Sequence, residues 1–120
     1  MEVFNLINAL PTGKGRYKLR SVSKIDSIII HHSATTSGSP QAFAHYHVAV
    51  NGWPGISYHY VIGQDGAIFK CQPATSITWH AKGANGHGLG ICLVGNFDTQ
   101  KPTEKQLAAL VWLCRTCLQA

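Results

Sequence analysis

The chain has 120 residues, 45% hydrophobic and 12% charged, a length that holds one domain with a buried core and a composition that excludes a disordered chain. Its net charge of +5 gathers early, in Lys14, Arg16, Lys18, Arg20 and Lys24, which would draw the chain to polyanions. Nucleic-acid recognition is not supported, because zinc-finger spacing and aromatic residues interleaved with the cations are both missing.

Residues 1–24 read as an irregular basic lead-in, broken by Pro11, Gly13 and Gly15. Their order lacks the cation-then-apolar pattern of a secretory signal, and no run approaches the roughly 18 apolar residues of a membrane span. Synthesis in the cytoplasm without a signal peptide is therefore expected. Cys71, Cys92, Cys114 and Cys117 then default to reduced thiols.

Residues 25–120 form the domain proper. Ile25 to Ile30 reads as the first strong strand, and its β-branched apolar run suggests one covered on both faces. His31 and His32 follow, and since neighbouring strand residues point to opposite faces, the two cannot share one metal ion. His31 is the candidate for an open site, and His32 for a turned-in, hydrogen-bonded ring. Ser39-Pro40 opens a helix to about Val50. On it His45 and His47 lie about 200° apart, on nearly opposite faces.

SYHYVI, Ser57 to Ile62, alternates as a strand, and Asp65-Gly66 predicts a hairpin returning through Ala67 to Cys71. A short strand is expected over Ser76 to Trp79, then a glycine-rich loop, then a fully buried strand over Leu89 to Val94. Thr103 and Gln106 carry the capping-box spacing of a helix start. The apolar face of that last helix is expected to be Leu107, Leu110, Val111, Cys114 and Leu118, with the Cys114/Cys117 pair used for packing. His45, His47, His59 and His87 read as structural or surface residues.

In order and spacing, IIIHHSATT, HYHVAVNGWPGISYHYVIGQDGAIFKC, WHAKGANGHGLGICLVGNFD and PTEKQLAALVWL resemble the zinc-dependent N-acetylmuramoyl-L-alanine amidases of the phage-lysozyme and peptidoglycan-recognition-protein superfamily. The likeness runs over about residues 25–113 and is strongest toward phage endolysins. It implies an α/β fold, a mixed central sheet flanked by helices, and cleavage of the amide between N-acetylmuramic acid and L-alanine at the bacterial cell wall.

By the same resemblance, His31 is a zinc ligand and Tyr58 a catalytic residue facing the substrate carbonyl. His80, Lys82, Asn85 and Trp53 fall along the substrate groove. The family's remaining ligands, a histidine and a cysteine or aspartate, follow the helix that starts here at Thr103. They have no counterpart in this sequence, so the domain is expected to be incomplete, its activity open, and its C-terminal face exposed to self-association or a partner chain. The alternative is a non-catalytic peptidoglycan-binding module.

Overall fold

The computed structural model describes residues 1–119. Seven strands run in the order β1 (Val3–Asn5), β2 (Lys18–Leu19), β3 (Ser27–His32), β4 (Tyr60–Ile62), β5 (Ile68–Lys70), β6 (Ser76–Ile77) and β7 (Gly88–Leu93). Helix α1 (Pro40–His45) continues into a wide turn over Tyr46–Val50, and α2 spans Glu104–Gln119. The main sheet is mixed, ordered β1-β5-β4-β7-β3, and β2 pairs with β6 in a separate ribbon.

Strand β7 lies between two parallel partners, β3 and β4, and all six of its residues are buried. Its apolar run has the composition of a strand covered on both faces. Alternation along the strands splits the core in two. Val61, Cys92 and Val94 face one way, against Leu10, Ala44 and Phe43. Ile62, Ile91 and Leu93 face the other, against Ala109 and Leu113 of α2.

Antiparallel pairing of β4 with β5 confirms the predicted hairpin. Gly66 holds φ +85° in its turn and donates to Gly63 O at 2.9 Å. The capping box also forms: Gln106 N donates to Thr103 Oγ1 at 3.1 Å, and Thr103 N to Gln106 Oε1 at 3.2 Å.

Three expectations need correction. Residues 1–24 are not an irregular lead-in: β1 pairs parallel with β5, β2 pairs with β6, and Leu10 and Tyr17 are buried. Strand β3 is not covered on both faces, because it lies at the sheet edge and leaves Ile30 51% exposed.

The buried face of α2 is Gln106, Ala109 and Leu113, with Leu110, Cys114 and Cys117 packed alongside. Leu107, Val111 and Leu118 are exposed. The helix is turned by Gln106, whose Nε2 donates to Val94 O at 2.8 Å and Ile62 O at 3.2 Å. A polar side chain is buried here because two strand-end carbonyls need its donors.

Candidate functional site

His31 and His32 diverge as strand geometry requires. The His32 ring accepts from Phe97 N at 3.0 Å and stacks on Phe97, centroids 5.6 Å apart, on the α2 side of the sheet. His31, half-buried, faces the α1 side. There its Nε2 lies 2.9 Å from His80 Nδ1, and its ring centroid is 5.6 Å from that of Tyr58. Ala34 turns the chain away just after β3, with φ 59°, a left-handed conformation that a non-glycine residue adopts at some cost. Ser33 fixes that turn by accepting from Gly95 N at 2.9 Å.

His80 lies flat against β7, and a glycine makes this possible. A Cβ on Gly90 would sit 2.7 Å from His80 Cγ, closer than any side chain tolerates. The hydrogen bonds then set the protons. His80 Nε2 is 3.3 Å from Gly88 O and therefore donates, leaving Nδ1 to accept from His31 Nε2–H. That arrangement leaves Nδ1 of His31 as its free lone pair.

His59 supports this pair from below. It accepts from Gly90 N at Nδ1, 3.0 Å, and so carries its proton on Nε2, 2.8 Å from Ser76 O. With Nε2 already a donor, Arg20 Nη2 at 3.4 Å is a neighbour rather than a partner. Arg20 instead clasps the loop backbone, donating to Ala74 O and Asn85 O, each at 3.0 Å.

Burial keeps these rings neutral. It lowers the pKa of His31, with the charge of His32 adding to the effect. Burial brings His59 down to about 4, and burial followed by the neighbouring His31 does the same for His80. Burial, and then the adjacent Cys92, raises the phenol of Tyr58 well above its ordinary value. Tyr58 therefore stays protonated at neutral pH, its hydroxyl lying against the buried Cys92 thiol. Its ring packs against Phe43, His47 and His31.

The structure thus brings His31, Tyr58 and His80 together. Trp53 joins them through His47, whose ring lies 4.8 Å from Trp53 and 5.5 Å from Tyr58. The helix does not stay regular to Val50 as expected. It widens after His45, with Asn51 N reaching Tyr46 O at 3.2 Å, and His47 points inward, accepting from Ser57 N at 3.0 Å. Wide turns of this kind occur frequently at functional sites.

Lys82 is exposed in the loop before β7. Asn85 spends its side-chain oxygen on Ala81 N, 2.8 Å away, so it shapes that loop. His87 pairs with Asp26 at the surface, 2.7 Å. Sequence reasoning passed over Trp79, Tyr17, Arg20 and Gly90. Only Trp79 had a local signal, its place directly before His80.

Zinc normally takes three protein ligands with a fourth position open, or four in a closed site. Among the described residues no group of three His, Cys, Asp or Glu side chains could hold a metal ion. His31 offers one lone pair and its other nitrogen is engaged by His80, so the described residues do not fit a complete zinc site. None of the described helices is long and apolar enough to cross a membrane.

A family model described as N-acetylmuramoyl-L-alanine amidase matches residues 21–120. The endolysin of Escherichia phage T7 is 30% identical over 69% of the chain and 56% of its own length. Peptidoglycan-recognition protein 2 of Holotrichia diomphalia is 31% identical over 74% of the chain and 52% of its own length. The chain thus spans about half the length of these two relatives. Among solved structures, the N-acetylmuramoyl-L-alanine amidase LysC of Clostridium intestinale superposes with a TM-score of 0.81 at 27% identity, over 99% of this chain and 76% of that one.

Proposed function

The chain belongs to the N-acetylmuramoyl-L-alanine amidase family, and we propose that it acts on peptidoglycan at the bacterial cell wall, on the amide between N-acetylmuramic acid and L-alanine. The observation that carries this reading is the convergence of His31, Tyr58 and His80 on one face of the sheet. Tyr58, held protonated by burial, is the donor for the oxygen that gains charge as the amide is attacked. Oxyanion donors of this type contribute about 3 kcal/mol. His80 holds the His31 ring, while Trp53, Lys82 and Asn85 flank the bound muramyl peptide.

His31 is proposed as one ligand of zinc, which when bound supplies an acidified water and polarises the carbonyl. Its partners in that role are not among the described residues. The test has two arms: metal analysis of the purified protein, and incubation with purified cell walls with and without added zinc. The reading predicts co-sedimentation with walls and zinc-dependent release of stem peptide without new reducing ends. Failure to bind walls would refute it. In such an active preparation, Tyr58→Phe should slow release about 100-fold while wall binding is kept.

The second reading is a non-catalytic peptidoglycan-binding module, favoured by the likeness to peptidoglycan-recognition proteins. Its signature is wall binding with neither bound zinc nor peptide release.

A further inference from the structure

Charge is unevenly placed along this chain. Residues 3–25 and 66–97 contain no Asp or Glu, so the β2–β6 ribbon, the turn after β2 and the loop before β7 carry no carboxylate side chain. The intervening Asp26 is taken by His87, 2.7 Å away. Glu2 and Asp65 line a separate groove together with Lys105. Lys14, Arg16, Lys18 and Lys24 are all exposed, and among the described residues none of them forms an ion pair.

Two aliphatic side chains stand among these cations. Leu19 is 75% exposed and Val22 55%. Isolated exposed apolar residues are ordinary, but these two are held outward by a fixed backbone. Tyr17 is buried and donates its hydroxyl to Gly55 O at 2.7 Å. Arg20 is buried as well, its backbone N donating to Thr75 O at 2.8 Å. With residues 17 and 20 drawn inward, Lys18 and Leu19 between them are turned out. The following turn is closed by Lys24 N donating to Ser21 O and Ile25 N to Val22 O, each at 3.0 Å. Ser21 Oγ caps it, accepting from Ser23 N at 3.3 Å, and residues 21–24 are all exposed.

We infer that this corner, residues 18–24 with Lys14 and Arg16 beside it, is the surface by which the protein docks on an anionic lipid bilayer. Its cations meet lipid phosphates, and Leu19 and Val22 enter the headgroup layer. Apolar side chains set among cations are the combination that an anionic bilayer surface favours. A soluble polyanion would use the cations alone and give Leu19 and Val22 nothing to bury against. Each cation near such a surface strengthens binding about fivefold, and burial of the two aliphatic chains adds roughly tenfold. The contact is reversible and weakens with salt. None of these side chains belongs to the His31–Tyr58–His80 cluster, so the inference stands apart from the peptidoglycan reading.

The test is co-sedimentation of the protein with vesicles of phosphatidylglycerol mixed with phosphatidylcholine, and with vesicles of phosphatidylcholine alone. Wild type should bind the anionic vesicles and not the neutral ones. Lys18→Gln with Lys24→Gln should weaken that binding about 25-fold, and Leu19→Ser with Val22→Ser about tenfold. All four side chains are exposed, so thermal melts should match wild type and separate lost binding from lost fold. Wild type that stays in solution with anionic vesicles overturns the inference, and so does equal binding to both vesicle types. Full affinity in the glutamine variant would place the contact elsewhere on the molecule. Full affinity in the serine variant also overturns it, since the corner would then be a site for soluble polyanions.

Discussion

His59 is completely buried and held to about 4, below the ordinary histidine value of 6.5. As pH falls below about 6.5 the unfolded chain takes the proton first, so folding stability drops until the folded-state value is reached and is fully present above neutrality. His59 alone accounts for roughly 3 kcal/mol across that window. Urea unfolding at pH 7.5 and pH 4.5 measures the loss, and the His59 ring proton resonances should hold still in NMR titration until about pH 4. Burial also pushes Cys71 and Cys92 up to about 12. Thiol reagents on the native protein should therefore modify Cys114 and Cys117 well before these two. Such environments could not be read from composition, because each depends on what the ring or thiol lies against. The divergence of His31 and His32 could, since strand alternation alone separates them.

Individual elements depend on a few close approaches. Gly90→Ala would drive a methyl group into the His80 ring and should cost about 1–3 kcal/mol while breaking the His31–His80 bond, seen as a lower melting temperature and altered histidine resonances. Gln106→Leu keeps the bulk but strips Ile62 O and Val94 O of a donor. It also undoes half of the cap, a destabilisation of roughly 2–3 kcal/mol measurable by urea titration. The capping box was legible because its two residues lie within one turn. The rotation of α2 was not, because a glutamine looks like a surface residue until the strand ends it satisfies are in place. The same limit applies to β1 and β2. Three and two residues long, they have too little pattern of their own, and their strand character comes wholly from partners β5 and β6.

At the scale of the molecule, the main sheet has an open edge at β3, and apolar side chains remain uncovered at Ile30, Leu107, Val111 and Leu118. Surfaces of this kind mark sites of association. The self-association proposed from the sequence should appear in sedimentation as a rise in mass with protein concentration, and Val111→Glu with Leu118→Lys should suppress it. Monomer at every concentration would dismiss it. The overall architecture was legible from the buried strand, the hairpin and the two helices, together with motifs in a fixed order. The pairing of β3 with β7 was not, since nothing local links Ser27 to Gly88.

That pairing also orders events at the ribosome. Ser27–His32 emerges early, yet its hydrogen-bonding partner, Gly88–Leu93, is translated only after both α1 and the hairpin. An aliphatic segment must therefore wait unpaired while residues 33–87 are translated, and distant pairings of this kind are slow to form. The nascent chain is most prone to aggregation in that interval, so its yield should respond to chaperone supply and growth temperature.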